Sequence, residues 1–289
     1  MDGALLIDKP KGITSTRVVE EVKRKLKAKK AGHTGTLDPI ATGLLILLVN
    51  KATRFSQFLT NLPKTYVFTL KFGAQTDTYD AEGKVIETYE GELNCERLKE
   101  VLKEFRGEIL QKPPPFSAKK VKGKRAYELA RKGEKVELKP VKVTIYKLEL
   151  ISCNPEEKEA KLITEISSGG YVRSLAKDIG DKLGIGAYVK ELRRTKINGI
   201  SVEEAVSLEE FLSSPNPESY LIPVESVLRF IPDVRLNSFL AGRVLKGQSV
   251  LIEGEPYNGF VKIYDNGKFI GVGELQGRVL KPKRLLVKR

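Results

Sequence analysis

The sequence predicts an α+β protein that ends in a small β-rich module. Three observations lead there. Strand and helix patterns are interleaved without the regular βαβ rhythm that builds a parallel sheet. Lys64 to Gly73 alternates cleanly, with Tyr66, Phe68, Leu70 and Phe72 on one side and Val67, Thr69 and Lys71 on the other. That period of two is the signature of a strand. From Pro232 onward the texture changes to short strand patterns separated by turns.

Taken in order, Ala4 to Ile7 reads as a short buried strand, and Asp8-Lys9-Pro10-Lys11-Gly12 as a turn. Thr14 or Ser15 can cap a helix whose Val18, Val22 and Leu26 share a face. A Gly/Pro-rich loop follows, then Leu44 to Val49, an all-apolar strand of the kind buried on both faces. After Lys64 to Gly73, Glu82-Gly83 turns the chain into a partner strand through Val85 and Ile86. Leu98, Val101, Leu102 and Phe105 form a helix face closed by Gly107. Pro113-Pro114-Pro115 enforces an extended segment. Arg125 to Lys132 reads as a short helix, and Val141, Val143 and Ile145 return the chain to the sheet. Lys161 to Ser167 is a further strand, and Val172, Leu175, Ala176, Ile179 and Leu183 make a helix face. Ser207-Leu208-Glu209-Glu210 has capping-box spacing. Beyond Pro232 come a helix around Phe239-Leu240 and strands at Ser249–Ile252, Phe260–Tyr264 and Phe269–Val272, with Asn266-Gly267 as a hairpin turn. A length of 289 residues suits two domains, placed at 1–231 and 232–289.

Composition narrows the function classes. Cys95 and Cys153 are too few for a disulfide framework or a zinc site, and there is one histidine. No apolar run is long enough to span a membrane. The N-terminus lacks a secretory signal pattern, so a cytoplasmic protein is expected. The formal charge is +14, unevenly spread: Lys23 to Lys30 holds six cations and no anion, and Ser117 to Lys147 holds eleven Lys/Arg against three Glu. Clustered cations attract a phosphate backbone, so nucleic acid is the expected partner.

Chemistry centres on Gly32-His33-Thr34-Gly35-Thr36-Leu37-Asp38-Pro39-Ile40-Ala41-Thr42-Gly43, which holds the single histidine and a lone acid, Asp38. The chain carries no phosphate-binding G-x-x-x-x-G-K-[ST] loop and no H-E-x-x-H. His33 has no G-x-S-x-G partner for nucleophilic serine chemistry. Asp77, Asp80 and Glu82 could hold Mg²⁺ in a nuclease, although a solvated turn is the simpler reading. A carboxylate in a rigid loop can be a covalent nucleophile toward an activated carbon or a sugar C1′. On RNA it needs a cation beside it and a flat ring to hold the base. Composition and spacing do not choose which Arg or Tyr.

The Asp38 segment resembles the active-site signature of the TruB family, the tRNA uridine-55 pseudouridine synthases. Lys9-Pro10-x-Gly12-x-Thr14-Ser15, Lys64-Thr65-Tyr66 and Gly73-x-x-Thr76-Asp77-Thr78-x-Asp80-x-Glu82-Gly83 resemble further motifs of that family. So do Gln111-x-Pro113-Pro114-x-Phe116-Ser117-Ala118-x-Lys120, Tyr171-Val172-Arg173-Ser174-Leu175 and Leu192-Arg193-Arg194-Thr195, all in the expected order. Gly169-Gly170 and Tyr188 depart from the usual pattern.

The resemblance implies a mixed, mainly antiparallel central sheet flanked by helices, the pseudouridine synthase fold. It also implies a basic thumb-like RNA-clasping insertion at about 117–147 and a C-terminal PUA-like RNA-binding module. It makes Asp38 the nucleophile that attacks a flipped-out uridine in the T loop, at uracil C6 or ribose C1′. Tyr66 would stack on the base, Arg173 would pair with Asp38, and Tyr171 and Leu192 would line the uracil pocket. Lys9 would support the loop, and His33 would fill the gap left in the RNA stack. No cofactor or metal is implied. The expected state is a monomer acting on tRNA without an obligatory protein partner. The competing expectation is a non-catalytic protein that binds and refolds tRNA through its basic surface.

Overall fold

In the computed structural model the described residues are 1–115, 120–121, 124–125 and 138–286. In chain order the first strands and helices are β1 Gly3–Lys9, α1 Ser15–Leu26, β2 Ala31–His33, β3 Ala41–Val49, β4 Lys64–Phe72, β5 Ala74–Thr76, β6 Val85–Thr88, α2 Cys95–Lys103 and β7 Gly107–Gln111. Two short strands follow, β8 Lys120–Val121 and β9 Lys124–Arg125, then β10 Val141–Asn154, β11 Glu159–Ile166, α3 Val172–Leu183, β12 Ala187–Ile197, β13 Ile200–Ser201, β14 Val206–Ser207 and α4 Leu208–Ser213. The last part holds β15 Asp233–Leu236, α5 Ser238–Leu245, β16 Val250–Leu251, β17 Tyr257–Asp265, β18 Lys268–Gly277 and β19 Val279–Leu285. Apart from the β8/β9 pairing, the basic segment 117–137 and the helix expected at 125–132 lie outside the described residues.

The main sheet runs β14-β1-β3-β12-β4-β11-β10-β7, with β2 and β13 added on β3 and β12. Only β1/β14 and β3/β12 are parallel, so the sheet is mixed and mainly antiparallel. Its central pair explains the all-apolar run in β3. Leu45, Leu47 and Val49 pack with Val18 and Val22 of α1 on one face, whereas Leu44, Ile46 and Leu48 pack with Phe55 and Phe58 on the other. Period-2 alternation then puts every residue of the strand in a core. Thr14 caps α1 by accepting from Arg17 N, and left-handed Lys27 closes it. Helices α2 and α3 cover the β4/β10/β11/β12 side through Leu98, Val101, Leu102, Leu175, Ala176 and Ile179.

The C-terminal sheet runs β15-β17-β18-β19-β16. Asn266 and Gly267 take left-handed angles (φ 48° and 78°), as the two-residue β17–β18 turn requires. This sheet packs on the larger unit through aromatic rings: Phe55 lies 5.5 Å from Phe269 and Phe58 5.0 Å from Phe260, centroid to centroid.

The fold also contains elements that local pattern does not announce. The eleven-residue β12 is among them, although it sits at the centre of the main sheet between β3 and β4. Its sequence, Ala-Tyr-Val-Lys-Glu-Leu-Arg-Arg-Thr-Lys-Ile, is too charged to read as a central strand. The two cysteines, set aside by counting, form a disulfide between the start of α2 and the far end of β10 (Cα–Cα 6.1 Å). Neither sequence neighbourhood shows that these ends meet. The bond closes a loop of 58 residues, worth about 4 kcal/mol in the chain-entropy account. Cys95→Ser, or reduction of the wild type, will therefore lower the melting temperature by on the order of 10 °C. Calorimetry with and without reductant checks this; transitions that coincide would show that the bond adds nothing.

Candidate active site

Asp38 sits in the loop between β2 and β3, and that loop is fastened at several points. Ser15, the first residue of α1, donates its Oγ to Leu37 O (3.0 Å) and accepts from Leu37 N (2.8 Å). Gly12 N donates to Pro39 O at 2.7 Å, Thr34 N to Ile46 O at 3.1 Å, and Ala41 N to Asp38 O at 2.9 Å. From β12, Arg194 reaches under the loop: Nη2 donates to Gly35 O (2.9 Å), Nη1 to Thr36 O (3.3 Å) and Nε to Leu44 O (2.9 Å). Its side chain is buried, and the three carbonyls are what make that burial tolerable. Arg194 pairs in register with Gly43 of β3 and Tyr66 of β4. At Gly43 (φ +112°) a Cβ would lie 2.1 Å from Arg194 O, so only glycine fits.

The Asp38 carboxylate faces the N-terminus of α3. Asp38 Oδ2 lies 3.0 Å from Nε of Arg173, the second residue of that helix. This is a close ion pair, although the Nε–H is not aligned for a hydrogen bond. The guanidinium is 5% exposed and the carboxylate 37%, so the acid presents its open side to the cleft. Arg173 Nη1 also donates to Thr78 O (3.2 Å), and its guanidinium carbon stands 5.9 Å from the centre of the Tyr171 ring. Tyr171 is held by reciprocal amide bonds with Gln111: Nε2 donates to Tyr171 O (3.0 Å), and Tyr171 N donates to Oε1 (2.7 Å).

Asp38, Tyr66, Tyr171, Arg173 and Leu192 line one cleft of about 250 Å³, together with Lys64, Arg194 and the Ser167–Gly170 turn. Among the described residues Asp38 is the only carboxylate in that lining. Two of the sequence-named residues lie elsewhere. Lys9 is fully buried and donates its Nζ to Pro10 O (2.9 Å) and Ile13 O (2.8 Å), bracing the turn before α1. Burial lowers its pKa to about 8 against the opposing charges of Asp38 and Glu82. His33 ends β2, paired with Leu47 of β3, outside the cleft lining. Sequence reasoning did not single out Arg194, Gln111 or Lys64, and it named Ser15 only as a possible helix cap, a role that Thr14 takes. All four lie in the quoted motifs, but Arg194, Ser15 and Gln111 act on backbone atoms far away in sequence, which no local pattern records.

The carboxylates considered for a metal are occupied with their own turn. Asp80 Oδ1 accepts from Thr78 Oγ1 (2.7 Å) and Glu82 N (3.0 Å), and Asp77 Oδ1 accepts from Lys84 N (2.9 Å). Among the described residues no group of three His, Cys, Asp or Glu side chains is arranged to hold a metal ion.

Further along α3, the half-buried Asp178 carboxyl is pushed up to about 6 by burial, with Lys177 partly opposing and Asp181 adding to the shift. A folded pKa above the unfolded value of 3.8 means stability is lost as pH rises from about 4 to 6. Asp178→Asn will thus raise stability at pH 7.5, by about 1 kcal/mol after allowing for solvent screening. Denaturant melts at pH 4.5 and 7.5 check this; an equal change at both would contradict it.

This fold and this cleft define a pseudouridine synthase framework. Aligned with the crystal structure of a Cbf5-Nop10-Gar1 complex, the chain gives a TM-score of 0.77 at 25% identity, covering 99% of this chain and 85% of that one. An H/ACA RNP bound to a substrate RNA containing 2′-deoxyuridine shares the fold, with a TM-score of 0.77 at 23% identity over 99% of this chain and 86% of that one. Three family models match in succession: the TruB family pseudouridylate synthase N-terminal domain at residues 23–172, the tRNA pseudouridylate synthase B C-terminal domain at 173–229, and the pseudouridine synthase II TruB C-terminal model at 232–286. The chain is 76% identical over 287 residues to tRNA pseudouridine synthase B of Aquifex aeolicus (strain VF5), covering 99% of this chain and 100% of that protein. It is 44% identical over 288 residues to the protein of that name from Azoarcus sp. (strain BH72), covering 99% and 95%. The chain belongs to the TruB family of pseudouridylate synthases.

Proposed function

We propose that this chain isomerises uridine 55 in the T loop of tRNA to pseudouridine, with Asp38 as the nucleophile. One observation carries the reading: a single carboxylate, fixed by its backbone and paired with Arg173, opens into a cleft that also presents Tyr66. The target base is inaccessible inside a folded T loop, so the nucleotide turns out of the RNA into this cleft. Tyr66 offers a ring face for the uracil, and Tyr171 and Leu192 close the sides. Asp38 attacks at uracil C6 or ribose C1′ and the N1–C1′ bond breaks. The base turns, C5 bonds to C1′ and the bond to Asp38 breaks, returning the free carboxylate; the C5 proton is released as N1 gains one. Nothing is added or removed overall, so the chemistry needs no redox partner or group donor.

His33, which ends β2 outside the cleft lining, fills the stack left by the flipped nucleotide. Lys9 acts at one remove by holding the turn that fastens Pro39. The excess positive charge draws in the tRNA backbone, and the C-terminal sheet serves as a PUA-like second contact. The enzyme works as a monomer, in the cytoplasm, without another protein.

The test is tritium release from tRNA transcribed with [5-³H]uridine, in EDTA. Release at up to one equivalent per tRNA, with the RNA intact, is expected. No release, or cleaved RNA whose formation EDTA blocks, would overturn the reading in favour of an RNA-refolding protein or a metal nuclease.

A further inference from the structure

Among the described residues the cleft around Asp38 contains three cations, and two of them are committed. Arg173 is paired with Asp38, and Arg194 is buried against the carbonyls of Gly35, Thr36 and Leu44. Lys64 is the third. It begins β4 two residues before Tyr66, and the strand's alternation puts both side chains on the same face. Its Nζ donates to Leu62 O at 2.9 Å and lies 3.5 Å from Thr60 O. Among the described residues no carboxylate forms an ion pair with it. Burial, with Arg194 nearby, lowers its pKa to about 8, so near neutral pH it still carries charge.

The surroundings of Lys64 have small side chains and are rich in donors. Its stem lies along Gly35, where a Cβ would come within 3.3 Å of Lys64 Cε. Ser168, also in the cleft lining, donates its Oγ to the same Thr60 carbonyl, at 3.2 Å. Two donors thus converge on one oxygen at the rim of the cleft that receives the nucleotide. Gly169 and Gly170 follow directly, leaving the rim open to close approach by a backbone.

We propose that Lys64, with Ser168 as second donor, holds a non-bridging oxygen of a phosphodiester flanking the flipped uridine, exchanging its carbonyl contacts for that anion. The site secures the nucleotide by its backbone while Asp38 and Tyr66 act on the base and sugar. A charge-assisted bond to phosphate is stronger than the carbonyl contacts it replaces. This inference rests on the functional reading above, and binding measurements separate the two.

The experiment uses T stem-loop RNAs carrying an uncharged methylphosphonate on either side of the target uridine, with the wild type and Lys64→Gln. Single-turnover rate against enzyme concentration and equilibrium binding are both read. Lys64→Gln should weaken half-saturation about tenfold while reducing the maximal rate less, and should lower the salt slope of binding by about one phosphate contact. A methylphosphonate at one of the two linkages should weaken the wild type equally and add nothing further in Lys64→Gln, the mark of a shared contact. Lys64→Arg should retain most of the affinity, and it serves as the folded control if the glutamine variant is unstable. Additive penalties at both linkages, or an unchanged salt slope, would overturn the proposal. Normal linkage-specific coupling without any pseudouridine formed would instead overturn the functional reading and leave the phosphate site standing.

Discussion

Asp38→Asn will leave this chain able to bind tRNA and unable to isomerise it. The substitution keeps the side chain's shape and removes the nucleophilic oxygen pair. It touches none of the backbone bonds that fasten the loop through Leu37, Pro39 and Ala41. Loss of a covalent nucleophile costs on the order of 10⁴-fold or more in rate, because no neighbouring group can substitute for it. Among the described residues the cleft lining contains no second carboxylate. Affinity depends on many phosphate contacts spread over a strongly basic surface, so tRNA binding should change only a few-fold. Single-turnover tritium release and filter binding read the two quantities separately. A variant that reacts within tenfold of the wild type would remove Asp38 from the mechanism.

Arg173→Ala is expected to cost about 10²–10³-fold in rate, with a much smaller loss of tRNA affinity. The guanidinium does three things at once: it pairs with Asp38, bonds the Thr78 carbonyl and stands against Tyr171. Without it the carboxylate loses its partner and the segment around Thr78 loses a tie to the base of α3. Arg173→Lys keeps the charge but lacks the planar fork that spans Asp38 and Thr78, so it should recover only part of the rate. Kinetics that fall through the half-saturation concentration alone, with the maximal rate intact, would contradict this assignment and make Arg173 an RNA-binding cation.

How much of this was legible in the sequence depends on how far each residue reaches. β3, β4 and α3 show themselves because their neighbours in sequence are their neighbours on a face. β12 does not, because Arg194 is buried by carbonyls contributed from residues 35, 36 and 44. The disulfide joins ends 58 residues apart, and nothing at either cysteine foretells it. Asp38 is conspicuous on its own as a lone acid in a Gly/Pro-rich loop. Choosing Arg173 as its partner, rather than any other arginine, required the family resemblance, and the fold places the two 3.0 Å apart. Lys9 was legible only through the resemblance, which gives it a loop-supporting role; its full burial and its bonds to the Pro10 and Ile13 carbonyls are not visible in the turn pattern around it.

The central claim is that this chain alone converts one uridine of the T loop. Its most direct test is incubation of the purified protein with an unmodified tRNA transcript, without added metal or partner, followed by mass mapping of every uridine. The account predicts an intact tRNA with one pseudouridine, at position 55. An unmodified tRNA, or pseudouridine at other positions with uridine 55 untouched, would contradict it.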